Sequence, residues 1–377
     1  MSISYDIDDL STAPPAPQNG SEPFRILDPD GSLLPDVAAP DLAPETLLGM
    51  YRDLKLARRF DERAVSLQRQ GRIPNYAPMT GQEGAQVASA YALGEEDWLF
   101  PTYREHAATY VRGVDLASIL LVLAGHREGY DYPDDANVLP AYVPIATQVP
   151  QAMGLAWGEQ LQGGDDVVAL CHFGDGATSE GDFHEGLNFA GVFDAPVVFF
   201  CNDNGWAIST PRERQTASAT LAQKAAAYGF SGLRVDGMDP LAVYEVTRMA
   251  VEKARDPEPG QARPMLIEAV QYRLGAHTTA DDPSRYRDDE EAERWRERDP
   301  VPRLENYLFG RGILDDDRKA DVEADVEAEI AEAVDAAEAV EADVGSLVEH
   351  VYEDVPAHLR EQAEELAAAG GLADRGR

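Results

Sequence analysis

The fold is decided by one stretch, residues 167–210, which reads VVALCHFGDGATSEGDFHEGLNFAGVFDAPVVFFCNDNGWAIST. An apolar run over 167–171 leads into Gly174-Asp175-Gly176, as a buried strand does when it ends in a tight turn. Apolar residues then recur at helical spacing, and a second apolar run over 197–201 ends at Asn202-Asp203-Asn204-Gly205. Because a crossover of this length makes the two strands parallel neighbours, the chain is predicted to be an α/β protein.

Two polar side chains follow these two strands. Ligands of open parallel sheets bind beyond the carboxyl ends of the strands, so Asp175 and Asn204 are expected to meet at one place. A carboxylate and an amide oxygen suit a hard divalent cation such as Mg²⁺, which often also binds phosphate groups. Gly174 and Gly176 allow backbone N–H groups to approach a diphosphate closely, and the following helix N-terminus favours an anion. The stretch therefore predicts a site for a magnesium-bound diphosphate.

Two other kinds of glycine-containing site are excluded. A dinucleotide-binding turn requires a third glycine, which residues 174–179 lack. The spacing of oxygen-bearing residues also differs from that of a calcium-binding loop.

The motif resembles a known cofactor motif. Gly-Asp-Gly is followed after 27 residues by Asn204, with an apolar run before each, as in thiamine diphosphate enzymes. The surrounding sequence is similar to alpha subunits of the thiamine diphosphate-dependent decarboxylating component of 2-oxoacid dehydrogenase complexes, over roughly residues 45–365. The resemblance implies the thiamine diphosphate-binding fold, with a mostly parallel central sheet and helices on both faces.

The resemblance also implies which residues hold the cofactor. An arginine that follows a strand, as Arg104 follows the predicted strand 98–100, is by itself more often part of a surface ion pair, although its fork suits phosphate. In the relatives, a Tyr-Arg pair at this position contacts the diphosphate, and backbone near the position of Ile145 contacts the aminopyrimidine. The implied cofactor-binding residues are Tyr103, Arg104, Ile145, Gly174, Asp175, Gly176, Ala177, Asn204, Arg273 and His277.

The magnesium ligands implied by the resemblance are Asp175, Asn204 and the main-chain carbonyl of Trp206. Asp203 stands where the relatives often have a second asparagine, which leaves Asn204 as the matching amide ligand.

A third apolar run, residues 264–272, brings Arg273 and His277 to the same edge of the sheet. A histidine there, beside a phosphate-binding arginine, can transfer protons near neutral pH. The resemblance places His277 at the start of an active-site loop, and the polar residues 278–286 suit a mobile lid. His277 is therefore the predicted catalytic residue, and His126 is a second candidate.

The implied reaction is oxidative decarboxylation of a 2-oxoacid, with transfer of the acyl group to the lipoyl group of an acyltransferase component. NVLP (137–140), VDGMDPLAVY (235–244) and DDPSRYR (281–287) are most similar to bacterial pyruvate dehydrogenase alpha subunits, which favours pyruvate. FFCNDNGWAISTP (199–211) is equally similar to branched-chain relatives. A branched-chain 2-oxoacid or acetoin is therefore the alternative substrate.

The resemblance further implies a partner. In the relatives, a glutamate from a separate beta subunit activates the cofactor, so this chain is expected to form an α₂β₂ heterotetramer that serves a lipoyl-bearing core. A hypothesis of another class is a non-catalytic binding subunit that keeps the fold. The intact Asp175, Asn204, Arg273 and His277 argue against that hypothesis.

The charge of the chain is strongly negative. Its 69 acidic residues exceed its 32 basic residues, which gives a net charge of −37, and four lysines occur. This charge excludes nucleic acid as an expected partner. Acidic residues occur along the whole chain, and screening of their mutual repulsion by concentrated salt favours a protein from a salt-accumulating halophile.

The length of 377 residues allows a large hydrophobic core. Residues 1–22 are predicted to be a flexible arm, and 23–377 a single domain. The domain is predicted to end in an acidic helix over 315–344 and a helix pair over 345–368. The N-terminal segment contains acidic residues, whereas a secretory leader has basic residues followed by an apolar core. The sequence also shows no apolar stretch long enough to span a membrane. A cytoplasmic location is therefore expected. Cys171 and Cys201 lie in apolar strands and are expected to be reduced.

Overall fold

The computed structural model describes residues 22–164, 166–341, 348 and 351–369. The predicted flexible arm therefore lies outside the described residues, apart from Glu22.

The centre of the fold is a five-stranded sheet with the order β1-β2-β3-β7-β6, in which every pairing is parallel. A short antiparallel ribbon, β4 with β5, follows β3. The strands are β1 (Trp98–Phe100), β2 (Ala169–Gly174), β3 (Val197–Asp203), β4 (Trp206–Ala207), β5 (Thr210–Pro211), β6 (Ser231–Asp236) and β7 (Met265–Val270). The predicted α/β class and the parallel neighbours β2 and β3 are confirmed.

Helices alternate with these strands. The α-helices are α1 (Pro44–Arg69), α2 (Glu83–Tyr91), α3 (His106–Val111), α4 (Leu116–Ala124), α5 (Gln148–Gln162), α6 (Gly181–Phe193), α7 (Arg212–Gln215), α8 (Pro240–Arg255), α9 (Asp289–Arg296), α10 (Pro300–Gly310), α11 (Asp316–Glu338) and α12 (Ala357–Ala368). Short 3₁₀ helices cover Arg127–Tyr130, Asp175–Ser179, Ala222–Tyr228 and Pro283–Arg285.

The sheet separates two apolar clusters, because successive side chains of a strand point to opposite faces. In β2, Cys171 and Phe173 pack with α5 and α6 on one face. Leu170 belongs to the cluster on the opposite face, which includes residues of α1, α2, α8, α10 and α11. Burial on both faces explains why the predicted strands read as continuous apolar runs and not as alternating ones.

One helix boundary differs from the sequence-based predictions. The acidic helix predicted over 315–344 ends at Glu338, so that prediction was too long at its C-terminal end. Of the helix pair predicted over 345–368, the structure describes α12, and most of the first member falls outside the described residues.

None of the helices in the described part of the chain combines the length and the apolar character that are needed to cross a bilayer.

Candidate active site

A cavity of about 560 Å³ opens at the carboxyl edge of the sheet. Its walls come from the segments that follow β1, β2 and β3, together with the segment after β7, as expected for an open parallel sheet. It collects most of the residues that the sequence singled out: Tyr103, Arg104, Ile145, Gly174, Asp175, Gly176, Ala177, Asn204, Trp206 and His277.

Two predicted site residues do not line this cavity. His126 lies beside a separate groove, among apolar residues between α1, α4 and α11, so its position does not support the proposed catalytic role. Arg273 is fully buried behind the cavity wall. It donates hydrogen bonds to the carbonyls of Trp206 (3.3 Å) and Ile208 (2.8 Å) and to the Tyr286 hydroxyl (2.8 Å).

Asp175 begins the 3₁₀ turn that follows β2, and it is buried. Its Oδ2 accepts a hydrogen bond from Gln215 Nε2 at 2.5 Å. Burial raises the pKa of this carboxyl, because a low-dielectric surrounding disfavours the charged form. The charges of Arg212 and Arg273 counteract part of this effect, and a bound cation would stabilise the charged form further.

Asn204 follows β3 and is held by two hydrogen bonds. Its Oδ1 accepts from the Trp206 backbone N–H at 3.2 Å, and its Nδ2 donates to Gln82 Oε1 at 3.0 Å. Gly205, which comes next, has φ +82°, a conformation that glycine adopts without steric cost. The glycine turn thus brings the backbone back so that Trp206 can contact the Asn204 side chain.

Asp203 adds a second buried carboxyl beside Asp175. One of its oxygens has no hydrogen-bond partner among the described residues, and the other lies 3.6 Å from Arg212 Nε. The pKa of Asp203 is raised well above its ordinary value, first by burial and then by the negative charges of Asp175 and Glu268. The ends of β2 and β3 therefore bring together two buried carboxyl groups whose charged forms repel each other.

A cluster of basic residues, Arg104, Arg273 and His277, also lies at the cavity. Arg104 Nη2 donates to the His277 carbonyl at 3.0 Å and lies 3.2 Å from His277 Nδ1, while Arg273 Nη1 lies 3.5 Å from the same nitrogen. Because an arginine can only donate, Nδ1 is the acceptor and the ring proton is on Nε2. Burial, Arg104 and Arg273 together lower the pKa of His277 to about 4, so its imidazole is neutral at pH 7.

The predicted lid, residues 278–286, folds against this cluster. Asp281 accepts hydrogen bonds from the His277 backbone N–H (2.8 Å) and from the Tyr286 hydroxyl (2.5 Å). The lid thereby fixes the backbone of His277. The mobility of the lid stays a prediction.

The donor set fits a magnesium diphosphate. The Asp175 carboxylate, the Asn204 Oδ1 and the Trp206 carbonyl are the oxygen ligands that Mg²⁺ prefers. No three His, Cys, Asp or Glu side chains cluster as a metal site in the described ranges, so the remaining ligands would come from phosphate oxygens or water. Position 176 also requires glycine, since a Cβ there would lie 2.7 Å from the Ala207 Cβ.

Two glutamines in the site were missed by the sequence analysis. Gln215 contacts the proposed metal ligand Asp175, and Gln82 contacts the ligand Asn204. The Gln82 contact joins residues 122 positions apart in the chain, and no local pattern in the sequence predicts such a contact.

Comparison with known proteins identifies the family of the chain. Residues 51–343 match the family described as the dehydrogenase E1 component. The chain belongs to this family. It is 41% identical over 349 residues to proteins named pyruvate dehydrogenase E1 component subunit alpha from Staphylococcus aureus and Staphylococcus epidermidis, covering 92% of this chain and 93% of each relative.

Membership in the dehydrogenase E1 component family confirms the resemblance found in the sequence. The family comprises the decarboxylating components of 2-oxoacid dehydrogenases, so the chain is a subunit of an enzyme of this class. Dependence on thiamine diphosphate also follows from membership.

Proposed function

We propose that this protein is the alpha subunit of a pyruvate dehydrogenase, which decarboxylates pyruvate and transfers the acyl group to a lipoyl group. The observation that carries the proposal is one cavity that brings together oxygen ligands for a cation and a cluster of basic groups. The 41% identity to proteins named as pyruvate dehydrogenase alpha subunits supports pyruvate over a branched-chain 2-oxoacid.

In this proposal, Mg²⁺ is held by Asp175, Asn204 and the Trp206 carbonyl. The diphosphate is bound by Tyr103, Arg104 and the backbone of 174–177, and the aminopyrimidine is bound by backbone at Ile145. Arg273, which also contacts His277 Nδ1, adds positive charge beside Arg104 for the diphosphate. When bound, thiamine diphosphate supplies the nucleophilic carbon and the electron sink that decarboxylation requires.

His277 is the proposed proton donor of the site. Its Nδ1 accepts a hydrogen bond from Arg104, which fixes the ring and leaves the proton on Nε2. A neutral imidazole of this tautomer can donate a hydrogen bond from Nε2 to an oxygen of the substrate or of the acyl group. The diphosphate charge would offset Arg104 and Arg273 and raise the pKa of His277 towards its ordinary value, which would assist proton transfer.

The proposed partner is a beta subunit that completes the site in an α₂β₂ heterotetramer, itself bound to a lipoyl-bearing core. Three apolar side chains that line the cavity are largely exposed in this chain: Val143 (68%), Ile145 (48%) and Ile208 (58%). Exposed apolar surface beside a cavity is typical of a protein interface. The proposed beta subunit would cover these residues and exclude water from the reacting groups.

The deciding experiment is reconstitution. The chain is mixed with its beta subunit, Mg²⁺ and thiamine diphosphate, and CO₂ release is compared for pyruvate and 4-methyl-2-oxopentanoate. We expect pyruvate to be preferred and the alpha chain alone to be inactive. Preference for 4-methyl-2-oxopentanoate would identify a branched-chain enzyme, and an unchanged rate in Asp175→Ala would support the non-catalytic binding subunit.

We also propose a cytoplasmic, salt-adapted enzyme, as the net charge of −37 suggests. Reconstitution should therefore be carried out across a range of KCl concentrations that extends to several molar. Assembly that weakens as KCl rises from low concentration would contradict adaptation to salt.

A further inference from the structure

Gln82 lies directly before α2 and is buried beside the proposed magnesium site. Its Oε1 accepts a hydrogen bond from Asn204 Nδ2 at 3.0 Å. Its own Nε2 has no partner in the part of the chain that the structure describes. The contact with Asn204 is therefore the single hydrogen bond found for this side chain among the described residues.

The two hydrogen bonds of Asn204 fix the direction of its amide. The Trp206 backbone N–H can only donate, so the Asn204 atom that it contacts at 3.2 Å is Oδ1. Nδ2 can also only donate, and it faces the acceptor Gln82 Oε1. Rotation of the amide by half a turn would place donor against donor at Trp206 and acceptor against acceptor at Gln82.

This direction decides whether Asn204 can bind a cation. An amide oxygen has two lone pairs, of which the Trp206 N–H uses one, so one is left for a metal ion. The amide nitrogen has no lone pair available for a metal. A rotated Asn204 would therefore present the wrong atom to Mg²⁺.

We propose that Gln82 is a positioning residue that holds Asn204 in its metal-binding orientation. The inference rests on the proposed function, because it requires Asn204 to be a magnesium ligand. Gln82 acts through Asn204 and needs no contact with the cofactor. Partners of this kind, which orient a metal ligand without touching the metal, typically change metal affinity 10- to 100-fold.

Two substitutions at position 82 test whether the hydrogen-bond acceptor is needed. Gln82→Leu removes the acceptor at similar size, whereas Gln82→Glu keeps an oxygen acceptor for Asn204 Nδ2. The measurement is calorimetric titration of thiamine diphosphate into the chain assembled with its beta subunit, repeated over a series of Mg²⁺ concentrations. We expect the Mg²⁺ concentration that gives half-maximal cofactor binding to rise about 10- to 100-fold in Gln82→Leu. Gln82→Glu should remain close to wild type.

The Mg²⁺ series distinguishes positioning from general damage to the cavity. If only metal binding is weakened, excess Mg²⁺ restores the cofactor affinity of Gln82→Leu. Reduced affinity at every Mg²⁺ concentration, without rescue by Gln82→Glu, would overturn the proposal. If Gln82→Leu fails to assemble, Gln82→Met replaces it, since it also lacks the acceptor and keeps the unbranched shape.

The controls separate this inference from the proposed function. Equal Mg²⁺ dependence in wild type and Gln82→Leu would overturn the role of Gln82 and leave the magnesium site in place. A wild-type assembly that binds no thiamine diphosphate at any Mg²⁺ concentration would overturn both.

Discussion

Charged groups are arranged in opposite ways at two places in the molecule. Between α1 and α11, cations lie against carboxylates of the facing helix, as in Arg52 with Asp325 (2.8 Å) and Lys55 with Glu323 (2.7 Å). At the cavity, ionisable groups of the same sign lie close together, and the ion pair of Asp203 with Arg212 is long, at 3.6 Å. Two arginines surround His277, and two carboxyls lie together at the ends of β2 and β3.

The difference shows which region serves folding and which serves a ligand. Opposite charges in contact compensate part of each other's loss of hydration, whereas grouped like charges disfavour the folded chain on its own. A divalent cation and a diphosphate would neutralise the two groups at the cavity. Titratable groups with shifted pKa values in a cavity are typical of functional sites. Here they indicate a site for a ligand that carries both a positive and a negative group.

Among the tests of this difference between the two regions, Asp175→Ala is expected to have the largest effect on cofactor binding. Loss of a direct ligand should weaken Mg²⁺-dependent binding of thiamine diphosphate by more than about 100-fold, beyond the effect of residues that only orient ligands. The thermal unfolding midpoint of the ligand-free chain should stay equal or rise, because burial disfavours the charged form of Asp175. Calorimetry measures the affinity, and scanning calorimetry measures the midpoint.

A second variant and the unfolding midpoints show whether Asp175→Ala affects ligand binding or folding. Asp175→Asn keeps the size and the oxygen of the side chain, so it should fold like wild type and still bind the cofactor poorly. A midpoint that falls by several degrees in both variants would show that Asp175 is needed for folding.

An intermediate effect is expected from the pH dependence of His277. The pKa of this histidine is about 4 in the folded chain and 6.5 ordinarily, so the unfolded chain binds more protons between these values. Stability from this group is complete above pH 6.5 and is lost as the pH falls towards 4. In urea unfolding of the ligand-free chain at several pH values, His277→Gln should lose less stability over this window than wild type.

Saturating thiamine diphosphate sharpens this measurement, because its phosphates would offset the charges of Arg104 and Arg273. The difference between wild type and His277→Gln should then shrink. An identical pH dependence of the two proteins without ligand would contradict the electrostatic origin of the effect.

The smallest effect is expected from an exposed ion pair between α1 and α11. Arg59 contacts Glu327, and both side chains are about half exposed, at 46% and 54%. Such pairs contribute roughly 0.2–1 kcal/mol, and salt screens them. Arg59→Ala should lower the free energy of unfolding by no more than about 1 kcal/mol, and the difference should disappear in molar KCl. Glu62 also contacts Arg59, so the double-mutant cycle with Glu327→Ala isolates the pair.

A different salt dependence of Arg59→Ala would change the explanation for the ion pairs between α1 and α11. A loss that persists in molar KCl would show that Arg59 stabilises the fold by packing of its carbon chain and not by charge.

Much of the central unit could be predicted because its signals are local. The two apolar runs became β2 and β3, with Gly174 opposite Asn202 in the register, and both strands end where Asp175 and Asn204 begin the turns. The limits of helices were less predictable. Apolar residues at helical spacing continue to Val340 in the sequence, but the described helix ends at Glu338.

The sequence by itself determined the parallel strand-helix-strand unit, the glycine turns and the residues that meet at the sheet edge, because periodicity and turn residues act over short distances. Only the tertiary structure decided that Gln82 contacts Asn204, that Arg273 lies behind the cavity wall and that His126 lies outside the cavity. These outcomes depend on which helices pack beside the strand ends. Such packing joins residues far apart in the chain, and no local pattern encodes it.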